Sequence, residues 1–248
     1  MDLDVDVDVD VDKGSPAVAL ITGASRGLGL GIARLFAARG MRLGLTARGG
    51  AALDAAAQEL SAHTDVVALP GDVADQEHDA QLVDKVLEAF GHVDVLVNNA
   101  SLLGPMAELA DYPLDALGAV LRANLVGPLA LARLVLPSMR RRRSGIIVNV
   151  TSDAGVQAYP TWGGYGTSKA ALEHASRVLA AELEGSGVRV YVVDPGDMNT
   201  AMHQEAEPGV DLSHLPGPET VAPAFVRLLQ ETAASGRFEA AALLAVPA

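Results

Sequence analysis

Tyr165 and Lys169 are the two residues whose type and spacing point most directly to chemistry. If this segment is helical, residues four apart share one face, so a phenol and an ammonium lie side by side. A neighbouring positive charge favours the phenolate, and we therefore expect the pKa of Tyr165 to fall from about 10 towards neutral pH. Tyr165 could then serve as a general acid or base. Such pairs also occur by chance on exposed helices, so this interpretation requires a cofactor site nearby.

A glycine-rich turn near the start of the chain could supply that cofactor site. Gly23, Gly27 and Gly29 follow a short apolar run at residues 17–22 and precede a helical pattern. Glycines allow a tight turn, and they let backbone amides approach a pyrophosphate at a helix N-terminus, where the dipole favours negative charge. Ile32 stands where the pattern G-x-G-x-x-G has its third glycine. The alternative is a turn with a packing role only.

Two arginines near this turn favour NADP over NAD. NAD sites usually place an acidic residue at the end of the second strand, where it accepts the ribose hydroxyls. Here the predicted strand at 42–46 is followed by Arg48 and no acid, and Arg26 lies within the glycine turn. Guanidinium groups suit the 2′-phosphate of NADP. The alternative is that both arginines are solvated surface residues. Asp72 and Val73 follow the third predicted strand, and we expect them to hold the adenine edge.

The elements that must position these residues alternate between strand and helix. Short apolar runs predict strands, and 3.6-residue periodicity predicts helices. The predicted strands cover residues 17–22, 42–46, 66–69, 93–97, 145–151 and 188–193, with a last one near the C-terminus, and the predicted helices cover 27–40, 50–61, 75–90, 113–139, 163–184 and a stretch from about 218. This order predicts an α/β fold, a single doubly wound, Rossmann-like parallel sheet of about seven strands with helices on both faces. Ligands of such sheets bind beyond the carboxyl ends of the strands.

Composition limits the function classes. The 248 residues are 50% apolar with no change of composition after the start, so residues 15–248 are predicted to form one dinucleotide-binding and catalytic domain. The absence of cysteine and the dispersed histidines predict no disulfide and no metal site. We find no apolar run of about 18 residues, and therefore expect no membrane segment and a cytoplasmic protein. The net charge of -13 argues against nucleic-acid binding. We interpret the arginine run 140–143 as a solvated helix end.

Residues 1–14 differ from the rest of the chain. Aspartates at positions 2, 4, 6, 8, 10 and 12 alternate with apolar residues. This alternation could form a strand with a carboxylate face, but the like charges repel each other and aspartate disfavours strands. We therefore interpret the segment as an acidic, mobile, solubilising tail. A weak divalent-cation site and an edge strand are the alternatives.

Together these residues resemble the short-chain dehydrogenase/reductase family in its compact single-domain form. The resemblance spans nearly the whole chain after the acidic segment, and its motifs occur in the family's order. They are Thr22 to Gly29, Asp72-Val73, Asn98-Asn99-Ala100, Asn124, Ser152, Tyr165 to Lys169, and Pro195-Gly196 with Thr200. The resemblance implies hydride transfer between NAD(P)H and a carbonyl compound, or the reverse reaction with an alcohol.

The resemblance also implies a catalytic set of four residues. Tyr165 would protonate the carbonyl oxygen as hydride arrives, and Lys169 would bind the nicotinamide ribose and keep the tyrosine acidic. Ser152 would donate a hydrogen bond that holds and polarises the substrate oxygen. Asn124 would hold a water molecule that links Lys169 to solvent. From the residues alone, Asn124 is equally compatible with a structural amide that the backbone satisfies, and Thr151 and Ser168 are rival hydroxyls to Ser152.

The expected cofactor site combines the glycine turn with the family's other motifs. Asn99 and Ala100 would line the cofactor at the end of the fourth strand, and the segment after the sixth strand would hold the carboxamide end of the nicotinamide. The full expected set is Gly23, Ser25, Arg26, Gly27, Leu28, Gly29, Arg48, Asp72, Val73, Asn99, Ala100, Tyr165, Lys169, Pro195, Gly196, Met198 and Thr200.

Two parts of the chain depart from the family pattern. Ser101 replaces the glycine that usually follows Asn-Asn-Ala, and we expect its side chain to crowd the nicotinamide or substrate side and to tune specificity. The C-terminal residues lack the family's usual Thr-Gly pair and its Val-Asp-Gly-Gly end, so the tetramer contact made there is in doubt. We expect a homodimer through the helices around residues 114–139 and 163–184, with a homotetramer as the alternative.

The expected function is an NADPH-dependent carbonyl reductase or alcohol dehydrogenase. The long segment after Gly196 would cover the nicotinamide as a lid. An apolar pocket for a small or medium hydrophobic ketone, aldehyde or secondary alcohol would be lined by Leu102, Leu103, Tyr159, Trp162, Met198 and Met202, although loop packing explains the same residues. A nucleotide-responsive regulatory module without turnover, and NAD-dependent alcohol oxidation, are the alternatives. A sugar-nucleotide epimerase or dehydratase would need a larger C-terminal domain.

Overall fold

Seven short strands form one parallel sheet in a computed structural model, which describes residues 16–230 and 234–245. The strands are β1 (Val18–Thr22), β2 (Arg42–Thr46), β3 (Val66–Ala68), β4 (Val95–Asn98), β5 (Gly145–Val150), β6 (Val188–Asp194) and β7 (Gly236–Glu239). Their order across the sheet is β3-β2-β1-β4-β5-β6-β7, so the predicted fold is confirmed. The order reverses between β1 and β4, which opens a crevice at their carboxyl ends. The acidic segment 1–14 lies outside the described residues.

Ten helices connect or follow these strands in the described part of the chain. They are α1 (Gly27–Ala37), α2 (Gly50–Leu60), α3 (Gln76–Phe90), α4 (Leu114–Leu121), α5 (Gly127–Arg142), α6 (Gly163–Glu182), α7 (Ala201–Ala206), α8 (Pro218–Val221), α9 (Pro223–Gln230) and α10 (Ala240–Ala245). The predicted helices therefore occur, with ends that differ by a few residues. The segment after Gly196, predicted as a loop, contains α7.

Side-chain alternation along the central strands builds a core on each face of the sheet. Ala19 and Ile21 of β1 join the cluster that includes α1 and α9. Val18 and Leu20 join the cluster on the opposite face, which includes α3 and α5. All four side chains are fully buried, which is why β1 reads as a continuous apolar run.

The ends of α3 follow from local chemistry. The Asp75 carboxylate accepts hydrogen bonds from the backbone N–H groups of Glu77, at 2.9 Å, and His78, at 3.5 Å. These bonds satisfy donors that have no partner inside the helix. At the other end, Gly91 adopts the left-handed conformation with φ 83°, and its N–H donates to the Leu87 carbonyl.

The predicted long helix at 113–139 is interrupted. A π-helical turn at Arg122–Val126 separates α4 from α5. Within the combined stretch Leu114–Arg142, an 18-residue window has a mean hydropathy of 1.6, so the helix is long and apolar enough to cross a membrane and the expectation that no such run exists is wrong. Half of that window is buried in the structure. A core helix of a soluble protein meets the same criteria of length and composition.

The arginine run at the end of α5 is not simply solvated, which corrects our interpretation. Arg142 Nη1 donates to Asp94 Oδ1 at 2.6 Å, and Arg142 Nη2 donates to the Val93 carbonyl. The other oxygen of Asp94 accepts from the Val18 N–H at 2.8 Å. A buried carboxylate thus joins the end of α5 to the starts of β1 and β4, because a buried charge needs a partner.

Asp79 on α3 is a buried carboxyl group without a partner. Its side chain has no solvent exposure, and neither oxygen has a hydrogen-bond partner among the described residues. Burial, reinforced by the nearby charges of Asp75 and Asp72, raises the pKa of Asp79 to about 7. Ionisation of such a buried carboxyl group destabilises the folded state.

Candidate active site

The glycine turn lies at the carboxyl end of β1 and is held by β4. Gly23 and Gly27 have positive φ values of 67° and 58°, which glycine adopts without strain. A Cβ at Gly29 would overlap the Gly23 carbonyl, so the helix can begin this close to the strand only with glycine. The Asn99 carboxamide donates to the carbonyls of Thr22, at 2.9 Å, and Gly23, at 3.3 Å. Asn99 therefore holds the turn in place.

The two arginines expected to bind a 2′-phosphate stand at neighbouring strand ends. Thr22 and Thr46 are register partners at the ends of β1 and β2, and Arg26 and Arg48 follow them. Both arginines are exposed, and neither side chain has a hydrogen bond or ion pair with another described residue. Two unpaired guanidinium groups at one edge of the crevice fit an anionic group there.

The remaining expected cofactor residues lie around the same crevice. Ser25 and Leu28 belong to the glycine turn and the start of α1, and Ala100 donates its N–H to Thr22 Oγ1 at 2.9 Å. Asp72 accepts a hydrogen bond from the Ala74 N–H. Val73 is buried in the core between sheet and helices, which leaves its backbone as the part available to a ligand.

The structure brings the expected catalytic side chains together at the end of β5. Ser152 follows β5, and Tyr165 and Lys169 lie on α6. Lys169 is buried, and its Nζ donates to the Val150 carbonyl at 2.8 Å and lies 5.5 Å from the centroid of the Tyr165 ring. The ammonium is thus fixed below the phenol ring.

The rival hydroxyls have structural partners. Thr151 Oγ1 donates to Glu173 at 2.8 Å. Ser168 Oγ donates to the Tyr165 carbonyl and accepts from Asn124. Of these three hydroxyls, Ser152 is the one that lies beside the Tyr165 phenol, where its hydrogen bond lowers the phenol's pKa; its Oγ also donates to Asp153 Oδ1 at 3.0 Å. These contacts favour Ser152 as the donor to a substrate oxygen.

Burial reverses the expected shift of the Tyr165 pKa. We expected Lys169 to lower it, but desolvation raises the pKa of Tyr165 to about 12, with a further contribution from the negative charge of Asp194. Desolvation also lowers the pKa of Lys169 to about 8. The protein alone therefore keeps the phenol protonated at neutral pH, because a buried site disfavours the charged form of each group.

Asn124 lies in the π-helical turn and has a full set of partners. Its Oδ1 accepts from the Leu102 N–H at 2.7 Å, and its Nδ2 donates to the Leu102 carbonyl and to Ser168 Oγ, each at 2.9 Å. The carboxamide thus joins the loop after β4 to α6 next to Lys169. The structural role we considered is satisfied, and the water-holding role stays a prediction.

A cavity of about 430 Å³ opens above Ser152 and Tyr165. Pro195, Gly196, Met198 and Thr200 line it, and so do Leu103, Tyr159, Trp162 and Met202 of the expected substrate pocket. Leu102 lines a neighbouring pocket instead. Helix α7, capped by Thr200, covers one side of the cavity. No group of three histidine, aspartate or glutamate side chains in residues 16–230 and 234–245 could hold a metal ion.

Ser101, the departure from the family pattern, lies beside the reacting phenol. Its Oγ is buried and has no well-aligned partner, and its proximity lowers the pKa of Tyr165. We expect Ser101→Gly and Ser101→Ala each to lower kcat about fivefold, since a hydrogen bond contributes about 1 kcal/mol. Steady-state kinetics would check this. If kcat falls in Ser101→Gly but not in Ser101→Ala, the volume of the side chain matters rather than its hydroxyl.

Arg237 is a residue of the site that sequence reasoning missed. From β7, its Nη2 contacts Asp194 at 2.7 Å and its Nε contacts Glu173 at 3.2 Å. The other oxygen of Asp194 accepts from the Gly196 N–H at 3.0 Å. Arg237 therefore positions the start of the segment that lines the cavity. The only sequence signal is an arginine in a short strand whose acidic partners lie 43 and 64 residues away.

Comparison with known proteins agrees with this geometry. The family model described as short chain dehydrogenase matches residues 17–211. Dehydrogenase/reductase SDR family member 7B of Bos taurus is 37% identical over 201 residues, which are 77% of this chain and 60% of that protein. The chain thus spans less than two thirds of this relative.

Two solved structures show the same fold with different cofactors. A short chain dehydrogenase from Shigella flexneri complexed with NADP has a TM-score of 0.85 and 27% identity, covering 91% of this chain and 97% of that one. An NAD+-bound xylitol dehydrogenase has a TM-score of 0.81 and 26% identity, covering 92% of this chain and 98% of that one. The chain belongs to the short-chain dehydrogenase/reductase family of NAD(P)-dependent oxidoreductases.

Proposed function

We propose that the protein is an NADPH-dependent carbonyl reductase that acts on small or medium ketones or aldehydes with an apolar part, or on secondary alcohols in the reverse direction. The observation that carries the proposal is the cavity, because Ser152 and Tyr165 share it with apolar and aromatic side chains. A carbonyl oxygen placed between the two hydroxyls would leave the rest of the substrate against the apolar wall. A cavity of this size suits a small organic molecule.

The protonation states suit reduction. Tyr165, with a pKa of about 12, holds its proton at neutral pH and can deliver it from Oη to a carbonyl oxygen. Ser152 would hold and polarise that oxygen. The Lys169 ammonium lies below the phenol ring and stabilises the phenolate that remains. The nicotinamide, when bound, supplies the hydride.

The crevice fits NADP. The glycine turn would hold the pyrophosphate with backbone N–H groups at the start of α1. Arg26 and Arg48, both exposed at the ends of adjacent strands, would hold the 2′-phosphate. NAD sites usually have an acidic residue after the second strand, which binds the free ribose hydroxyls. No acidic residue directly follows β2 here.

Parallel titration with NADPH and NADH, followed by nicotinamide fluorescence, tests the cofactor preference. We expect Arg48→Ala and Arg26→Ala each to weaken NADPH binding about tenfold and to leave NADH binding unchanged, because each removes a charge-assisted contact to phosphate. Arg141→Ala, which removes an exposed guanidinium at the far end of α5, is the control. Equal affinity for both cofactors would contradict the preference and direct substrate screening to alcohol oxidation with NAD.

We also propose a homodimer formed through α4, α5 and α6. Large apolar side chains are exposed on these helices and the π turn between them, at Leu114, Val126, Leu129 and Val178. Exposed apolar side chains grouped on neighbouring helices are typical of protein interfaces. Light scattering should give twice the 25.5 kDa mass of the chain, and Val178→Glu should shift it towards the monomer. A monomeric wild-type protein would contradict this.

A further inference from the structure

The cavity above Tyr165 has a one-sided charge. Asp153, Asp194, Asp197 and Glu207 line it together with the imidazoles of His203 and His214, and no lysine or arginine does so among the described residues. A concave site lined by one sign of charge produces a strong local potential. A carboxylate with an ion-pair partner attracts a ligand less, so the strength of this potential depends on which of the four are paired.

Two of the four carboxylates have cationic or imidazole partners. Asp194 pairs with Arg237, and Glu207 Oε2 lies 3.6 Å from His203 Nε2. Asp153 and Asp197 have no ion pair with any residue in the described ranges 16–230 and 234–245. Asp153 accepts from neutral hydroxyls, namely Ser152 Oγ at 3.0 Å and Tyr159 Oη at 2.6 Å. Two uncompensated negative charges therefore face the cavity.

Aromatic rings stand next to these carboxylates. The centroids of Tyr159 and Trp162 are 6.4 Å apart, and those of Trp162 and Tyr165 are 5.9 Å apart, so three rings run along one wall. Asp153 anchors this row through its hydrogen bond to Tyr159. That hydrogen bond raises the pKa of Tyr159. Asp197 lines the same cavity as this ring.

We propose that this cavity selects carbonyl substrates that carry an organic cation, such as a protonated amine, and discriminates against carboxylates and phosphates. Aromatic faces attract cations through the ring quadrupole, and carboxylates attract them by charge. The carbonyl oxygen would lie between Ser152 and Tyr165, and the ammonium would lie near Tyr159, Asp153 and Asp197. The inference rests on the proposed function, since it concerns which substrate the same cavity takes.

Three matched ketones test the proposal with the intact protein and NADPH. They are 4-(aminomethyl)acetophenone, its neutral isostere 4-ethylacetophenone, and the anionic 4-acetylbenzoate. We expect kcat/KM for the cation to exceed that for the neutral ketone about tenfold, and the anion to be at least tenfold worse than the neutral ketone. Raising the salt concentration should reduce both ratios, because the charges are partly exposed to solvent.

A pair of variants locates the effect. Asp197→Asn should reduce the cation-to-neutral ratio of kcat/KM about threefold or more. Glu205→Gln makes the same charge change at an exposed position of α7 outside this cavity and should leave the ratio unchanged. Equal ratios in the two variants would mean that net charge, rather than the cavity, causes the preference.

The outcomes separate this inference from the proposed function. Reduction of all three ketones at similar kcat/KM would overturn the inference and leave the reductase intact. If no ketone is reduced, ligand binding can still test the cation site through tryptophan fluorescence. Trp162 is the only tryptophan in the sequence, and it lines the cavity. Quenching of its fluorescence by 4-ethylbenzylamine at lower concentration than by 4-ethylbenzyl alcohol would support the cation site. Equal quenching would overturn it.

Discussion

Replacing Tyr165 by phenylalanine is expected to lower kcat for carbonyl reduction about a thousandfold while NADPH affinity stays nearly unchanged. The change removes the phenol hydroxyl, the proton donor that we place in the cavity beside Ser152. Proton transfer by a positioned side chain contributes about 10²- to 10⁴-fold to rate. The ring remains, so its contacts with Trp162 and with the Lys169 ammonium are kept. Single-turnover kinetics with saturating NADPH, together with a fluorescence titration of the cofactor, would measure both quantities.

Tyr112→Phe is the matched control for that variant. Tyr112 is buried, and its hydroxyl has no hydrogen-bond partner among the described residues, so we expect its removal to leave kcat unchanged. Retained turnover in Tyr165→Phe would mean that another group donates the proton. A large loss of NADPH affinity would mean instead that the phenol acts mainly in cofactor binding.

Replacing Asp79 by asparagine is expected to stabilise the protein by about 2 kcal/mol at pH 8. The folded-state pKa of Asp79, about 7, lies above the ordinary value for aspartate. The carboxyl group therefore favours folding most below pH 4, and that contribution is lost as pH rises through 7. The difference between the folded and unfolded pKa values corresponds to at most about 4 kcal/mol, and structural relaxation reduces the penalty. Asparagine keeps the shape and stays neutral at every pH.

Thermal unfolding between pH 4 and pH 8 would measure this effect. A gain of about 2 kcal/mol corresponds to an increase of roughly 4–8 °C in Tm for a domain of this size. The gain should nearly vanish at pH 4, where Asp79 is protonated in the folded state. Asp84→Asn, an exposed position on the same helix, should change Tm little at either pH. A gain that is the same at both pH values would show that ionisation of Asp79 is not its cause.

The order of motifs was sufficient to predict the fold and most of the candidate site. Alternating apolar runs and helical patterns predicted the parallel sheet, because buried parallel strands must be apolar on both faces. The spacing of Tyr165 and Lys169 predicted a shared helix face, and the position of Ser152 after β5 predicted its place beside them. These predictions depend on periodicity and strand ends, which are local properties of the chain.

The hydrogen-bond and ion-pair partners of these side chains could not be predicted from local patterns. Arg237 meets Glu173 and Asp194 only because β7 pairs with β6, and Arg142 at the end of α5 meets Asp94 at the start of β4. The π turn that presents Asn124 to the Leu102 backbone interrupts a stretch whose apolar pattern is continuous. Each contact joins residues far apart in sequence, so no local pattern records it.

By itself, the sequence determined the class of fold, the residues at the strand ends and the family to which the chain belongs. Only the tertiary structure decided the direction of the pKa shifts. The spacing of Tyr165 and Lys169 suggested a phenol made acidic by a cation, yet burial raises the pKa of Tyr165 to about 12 and lowers that of Lys169 to about 8. Desolvation depends on everything that surrounds a group. It therefore emerges only when the sheet, α6 and the segment after β6 pack together.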